Sequence, residues 1–261
     1  MSQLTLNTLL TQIGSDKVTG FFLVLARVSP LFVLAPLFSS KMVPARVKGI
    51  VAVGLSIGLT PLAVHGQNIP TDPMAVAGML VVQVLVGLAF AFAVGMVLTA
   101  IEAAGSLTDM VAGFSYGSVL DPVNGNQGGT MTNLYSLVGL AMFIAIGGDA
   151  WTLRGLSKTF DLVPLTKAPA IASLTSGVEQ SFATIFVSAV EVCAPVILAL
   201  LITDVAFGMV SRIVPQLNVF GVGFPMKVGV AMLVVAASLP FLGSFMSDQL
   251  STAVLGILHF I

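Results

Sequence analysis

Apolar positions along this chain gather into long unbroken runs separated by short polar stretches. A helix needs about 20 mostly apolar residues to cross a bilayer. Runs of that order lie at about 18–38, 47–64, 74–101, 131–151, 182–210 and 228–246. They predict an all-α integral membrane protein of about six hydrophobic helices, forming a single membrane-embedded domain over 1–261. The third and fifth runs are long enough to tilt or to extend past the bilayer. The polar N-terminal stretch, Met1 to Asp16, lacks a basic start, and the first run ends in Ser39-Ser40-Lys41. The first run is therefore expected to be a retained membrane helix and not a removed signal.

Proline and small residues refine this picture. Pro30, Pro36, Pro61, Pro195 and Pro240 fall in or at the ends of apolar runs. Proline removes a backbone donor and kinks a helix. Lipid cannot satisfy the freed carbonyls, so kinked helices should be packed within a larger helical assembly. Gly54 and Gly58 form a GxxxG, and Gly87, Ala91 and Gly95 form a small-residue stripe on one helix face. Both predict close helix contacts.

Composition agrees with a lipid environment. The chain of 261 residues is 57% hydrophobic and 8% charged, with a mean hydropathy of +1.07. A soluble domain carries ~25% charged residues. The net charge of −1 suggests neither a nucleic-acid partner nor a polybasic contact with lipid. Cys193 is the only cysteine, so an internal disulfide is impossible. Basic residues cluster at Lys41, Arg46 and Lys48, at Arg212 and Lys227, and at Arg154, Lys158 and Lys167. They do not sort cleanly to one side under simple alternation of spans.

Two connecting segments stand out. Residues 102–130 contain no Lys or Arg, three acids (Glu102, Asp109, Asp121) and six glycines. This composition predicts a mobile loop folded back on the protein. Residues 152–181 carry Arg154, Lys158, Asp161, Lys167 and Glu179 among Leu, Phe and Val. They read either as an amphipathic connector or as a surface loop with a short interfacial helix.

Arg27, Glu191 and Asp204 lie within apolar runs. A charge at a lipid-facing helix centre costs about 2.5–3.5 kcal/mol on insertion scales. These side chains should face protein or water. They are open to two readings, a proton relay or substrate path on one side, inter-helix ion pairs or helix-end contacts on the other. The second is favoured, because no histidine and no regular acidic array accompanies them.

Catalytic signatures are sparse. Gly113-Phe114-Ser115-Tyr116-Gly117 matches G-x-S-x-G, yet no βαβ pattern surrounds it. The only histidines, His65 and His259, are poorly placed to serve Ser115 in a hydrolase or a rhomboid-like intramembrane protease. There is no phosphate-binding G-x-x-x-x-G-K-[ST], and no zinc-ligand spacing. The residues point to no enzyme and no cofactor. A secondary transporter using Arg27, Glu191 and Asp204 remains a competing class, although no inverted repeat is visible.

Three segments together resemble the FliR family of type III export-gate subunits. The first is Arg27-Val28 followed by APLFSSKMVPARVK, Ala35 to Lys48. The second is Glu102-x-Ala104-Gly105, Gly113-x-Ser115 and Asp121-Pro122. The third is DVAFGMVSRIVPQLNVFGVGFPMK, Asp204 to Lys227, carried by Arg212, Pro215, Gln216, Asn218, Phe220, Gly223, Pro225 and Lys227. The resemblance covers nearly the whole chain. It implies a non-enzymatic channel component of the bacterial inner membrane and flagellar basal body. The implied partners are FliP and FliQ, with FlhB and FlhA nearby, and unfolded flagellar subunits would be the cargo. It also implies that Gly113 to Gly117 plug the closed pore. Val111 and Ala112 stand where the family often has glutamine, and Gly117 where alanine is common. The injectisome counterpart is the alternative, and Gly223-Phe224-Pro225-x-Lys227 leans flagellar.

Overall fold

A computed structural model describes residues 15–35, 38, 43–70, 72–114, 129–214, 216 and 219–261. Eight helices occur among the described residues. They are α1 (Ser15–Val28), α2 (Leu31–Leu34), α3 (Ala45–Val64), α4 (Pro73–Ala112), α5 (Thr130–Ala145), α6 (Gly148–Leu162), α7 (Ile171–Ile213) and α8 (Val219–Phe260). No strand occurs among the described residues. Five stretches are long and apolar enough to cross a membrane, and α5 with α6 pass the same test as a broken pair. The all-α membrane architecture expected from the apolar runs is the one found.

Proline acts in two ways. Pro30 divides the first run into α1 and α2, and the backbone closes the break with Ser29 N–H donating to the Leu25 carbonyl at 2.9 Å. Pro61, Pro195 and Pro240, together with Pro225, lie inside continuous helices. Pro36 is outside the described residues.

Three helices outrun their apolar cores. α4, α7 and α8 have 40, 43 and 42 residues. At 1.5 Å per residue each path is roughly 60 Å, about twice the hydrocarbon thickness of a bilayer. The expected loop over 102–130 is corrected accordingly, since α4 continues to Ala112 and takes in Glu102, Gly105 and Asp109. The cause is a change of pattern at residue 101. Ile101, Ala104, Thr108 and Ala112 are all buried at helical spacing, so the extension is amphipathic where the preceding run is apolar throughout. The connector 152–181 resolves in the same way into α6 and the start of α7. Thr152, Leu156, Thr159 and Phe160 of α6 are buried, while Trp151, Arg154, Lys158 and Asp161 are exposed.

The chain gathers into two compact units, and α4, α7 and α8 each pass from one to the other. The first comprises 1–95, 149–182 and 250–261. Here α1 packs on α3, and Leu23, Val24, Phe90, Leu156 and Leu165 are buried. Gly87 and Gly95 set the approach of α4 to the first run. A Cβ at Gly87 would overlap the Arg27 carbonyl, and one at Gly95 would lie 2.9 Å from the Leu34 carbonyl oxygen. The predicted Gly87/Ala91/Gly95 stripe is thus a packing surface, with Ala91 fully buried between the glycines. Gly54 and Gly58 behave otherwise. A Cβ on either meets nothing within 4 Å, so this GxxxG makes no contact within the described residues. Gly87→Ala is expected to cost about 2 kcal/mol through overpacking against backbone that cannot rotate away. Gly58→Ala should not destabilise, and through helix propensity should add up to about 1 kcal/mol. Thermal unfolding of the two variants in detergent checks the contrast, and equal melting temperatures would refute it.

The second unit comprises 96–148 and 183–249. Its buried residues include Ile101, Met131, Phe143, Cys193, Leu200 and Met246. Gly139 of α5 lies against Leu98 and Ile101 of α4, where a Cβ would come within 2.9 Å of the Leu98 side chain.

Candidate functional site

The glycine-rich loop leaves α4 and re-enters at α5, and both roots lie in the second unit. α4 ends at Ala112 and is followed by Gly113 with φ +87°, a left-handed conformation that suits glycine at a helix C-terminus. The N–H groups of Gly113 and Phe114 both donate to the Asp109 carbonyl, at 3.1 and 3.0 Å. Phe114 then packs edge-on to Phe224 of α8, with ring centroids 5.8 Å apart.

α5 begins after Gly129, which has no side chain to cap the helix. The first N–H groups of a helix lack intrahelical partners and need an outside acceptor. Asp109 supplies it from the other root. Its Oδ1 accepts from Met131 N–H at 2.8 Å, and its Oδ2 accepts from Thr132 N–H at 2.8 Å and Thr132 Oγ–H at 2.6 Å. The carboxylate is buried at 3% exposure. It lies in the last turn of α4, where the helix dipole disfavours an anion. The positive end of α5 offsets this. One side chain therefore fastens the departing and returning strands of the loop together.

The packing around this clamp tolerates no bulk. A Cβ at Gly129 would overlap the Asp109 carboxylate, and one at Gly105 would lie 2.7 Å from Thr132 Cα. One turn further from the loop, Ser136 Oγ–H donates to Glu102 Oε1 at 2.8 Å. The Tyr135 hydroxyl is buried with no hydrogen-bond partner among the described residues.

Of the expected plug residues, Gly113 and Phe114 lie at this root, while Ser115, Tyr116 and Gly117 lie outside the described residues. The third family segment is partly described. Asp204 of α7 and Lys227 of α8 form an ion pair. Arg212 occupies the last turn of α7, where a cation complements the helix dipole. Gln216 is exposed between α7 and α8, Gly223 is buried and Pro225 is exposed in α8. Pro215 and Asn218, and the side chain of Phe220, lie outside the described residues.

The three intramembrane charges have three different environments. Asp204 is ion-paired with Lys227. Glu191 is exposed on α7. Arg27 is fully buried in the first unit, and no carboxylate contacts it among the described residues. Its Nε–H donates to Gln83 Oε1 at 2.6 Å. Its two terminal nitrogens donate to the Thr159 and Val163 carbonyls at 2.8 and 2.9 Å, with a longer 3.3 Å contact to Thr159 Oγ1. The guanidinium also lies 4.4 Å over the ring of Phe160. Those carbonyls end α6, so Arg27 caps the negative pole of a helix instead of an acid. Gln83 completes the knot by donating to the Leu165 carbonyl at 3.0 Å. Its signal in the sequence was a lone amide within an otherwise apolar run.

No group of three His, Cys, Asp or Glu suited to a metal occurs among the described residues. What the described site offers is mechanical. It holds both ends of a loop, one by a carboxylate cap and the other by an aromatic contact.

Comparison with known proteins agrees with the three-segment resemblance. A family profile, that of the bacterial export proteins, family 1, matches residues 18–253. The chain belongs to this family. The flagellar biosynthetic protein FliR of Bacillus subtilis is 30% identical over 234 residues, covering 87% of this chain and 89% of its own. FliR of Escherichia coli is 26% identical over 86% of both chains. The surface presentation of antigens protein SpaR of Salmonella typhimurium is 25% identical, covering 80% of this chain and 78% of its own. As a family 1 export protein with long apolar helices, the chain is a membrane-embedded export component.

Proposed function

We propose that the chain is a structural component of the flagellar type III export channel. Residues 1–261 act as one export-gate domain in the bacterial inner membrane, at the flagellar basal body. The component is not an enzyme. It assembles with FliP and FliQ homologues, with FlhB and FlhA nearby, and unfolded flagellar subunits pass through the assembly.

The observation that carries this reading is the Asp109 clamp. A pore for unfolded chains has to seal against ions and still open for any sequence. Both requirements are met by a glycine-rich, weakly charged loop whose two ends are tied to one rigid point. Residues Gly113 to Gly117 then plug the closed pore, Phe114 seats the plug against Phe224, and the Asp109–α5 contact keeps the hinge in place. The flagellar assignment is supported over the injectisome one by the wider coverage of FliR relatives.

The test is a tagged pull-down of the full chain from detergent-solubilised membranes of its native host, with mass spectrometry of what co-purifies. Recovery of FliP and FliQ homologues is expected. A chain that purifies alone overturns the reading.

A further inference from the structure

In its half that belongs to the second unit, α7 presents an exposed face built from Phe186, Val187, Val190, Leu198 and Ile202. The opposite face, with Ile185, Ala189, Val192, Cys193 and Val196, is buried. The exposed face is apolar except at one point near the middle of the helix, where Glu191 projects. No described residue pairs with or hydrogen-bonds to Glu191, whereas Asp204 on the same helix is neutralised by Lys227. Of the ten Lys and Arg residues only Lys41 lies outside the described residues, and 115–128 contains none.

A second acceptor coincides with the first. Pro195 lies four residues after Glu191 inside α7. Proline has no N–H, so the Glu191 carbonyl loses the donor that would close its turn. One turn of this exposed apolar face therefore offers a carboxylate that no described residue partners and a carbonyl whose i+4 donor is missing. Lipid chains hold no donors for either. A water-filled lumen would supply donors, but not alongside a surface of Phe, Val and Leu.

We propose that this face of α7 is the interface with a second membrane-spanning chain, and that the partner places an arginine side chain at the depth of Glu191. A guanidinium carries five N–H donors in a rigid fork, enough to serve the carboxylate and the carbonyl together. The flanking aliphatic residues exclude water from the pair. The inference rests on the proposed channel in one respect, that the partner is another of its components.

The test uses the full tagged chain expressed from its own locus, with the assembly quantified by native electrophoresis after mild solubilisation. Glu191→Gln keeps an acceptor but loses the charge, and is expected to lower recovered assembly about tenfold. Glu191→Lys sets two cations together and is expected to abolish it. The isolated variant chains should melt like the wild type, because Glu191 touches no described residue. Assembly of Glu191→Gln within about twofold of wild type overturns the proposal. A second measurement keeps Glu191, places cysteine at 198 on the same face in a Cys193→Ala background, and applies a charged methanethiosulfonate reagent. The expected result is labelling at least about tenfold slower in the intact assembly than in the dissociated chain. Equal rates would mean that no partner covers the face, and would also overturn the proposal. A wild-type chain that recovers no other membrane protein overturns the channel reading and this one together. A wild-type assembly indifferent to Glu191→Gln overturns this one alone.

Discussion

Arg27→Ala is expected to destabilise the detergent-solubilised chain by about 4 kcal/mol, the largest effect of any single substitution considered. The guanidinium is fully buried and donates to Gln83 Oε1 and to the Thr159 and Val163 carbonyls. Alanine leaves the Gln83 and Val163 oxygens buried without the donor they had and the Thr159 carbonyl with only the Val163 N–H, and each donor lost to a buried oxygen costs about 1–3 kcal/mol. It also removes the cation from the end of α6 and from the face of Phe160. At about 2–4 °C per kcal/mol for a chain of this size, the melting temperature should fall by roughly 10 °C. Trp151, the only tryptophan, lies on α6 itself, so its emission reports the relevant helix. Arg27→Lys should recover less than half of the loss. A single ammonium cannot reach three oxygens arranged around a planar fork. A melting temperature for Arg27→Ala within about 2 °C of wild type would mean that the knot is replaced by water at no cost.

The same residue shows what the sequence makes legible. Arg27 stands out because a charge in an apolar run needs company. In the fold it lies at the end of α6 and donates to the carbonyls there. What could not be read was the identity of the partner. An ion pair would draw on acids, whereas the acceptors include backbone carbonyls more than 130 residues away, and every sequence has those. Asp204 followed the simpler course and found Lys227. Glu191 found no partner within the described chain, which is where reading one chain has to end and its neighbours begin.

The apolar runs were legible because a bilayer imposes length and hydropathy directly. The helical ends were not. Beyond residue 101 the period of the buried positions persists while the composition turns polar, so a reading by hydropathy stops about three turns early. The GxxxG at Gly54 and Gly58 erred in the opposite direction. The spacing permits close packing, yet a Cβ on either of those glycines meets no described residue, while Gly87 and Gly95 meet backbone carbonyls. Spacing states what a surface is able to do, and only the rest of the molecule states whether it is used.

Asp109 combines both difficulties, and its removal is the second large effect expected. Composition assigned it to a loop as one of three acids. It lies instead in the last turn of α4, and it caps a helix that starts 21 residues later. Its role was hidden because the cap is given across the loop and not within the first turn of α5, where capping patterns are read. Asp109→Ala deprives two backbone N–H groups and the Thr132 hydroxyl of their acceptor. The loss is expected to be about 3 kcal/mol, from the cap and from charge-assisted bonds in a buried site. Asp109→Asn keeps one acceptor oxygen but turns an NH2 towards N–H donors, and should lie between alanine and wild type. Cys193 is buried in the same unit and is the only cysteine, so the temperature at which it reacts with a thiol dye measures the change. If the loop is a plug, loosening its root should also matter in assembled membranes. Complexes containing Asp109→Ala, or lacking Gly113 to Gly117, are expected to conduct ions where wild-type complexes are tight. Unstable variants with unchanged permeability would leave the clamp as a structural device and remove the plug from the mechanism. Tight membranes together with wild-type stability would remove the clamp as well.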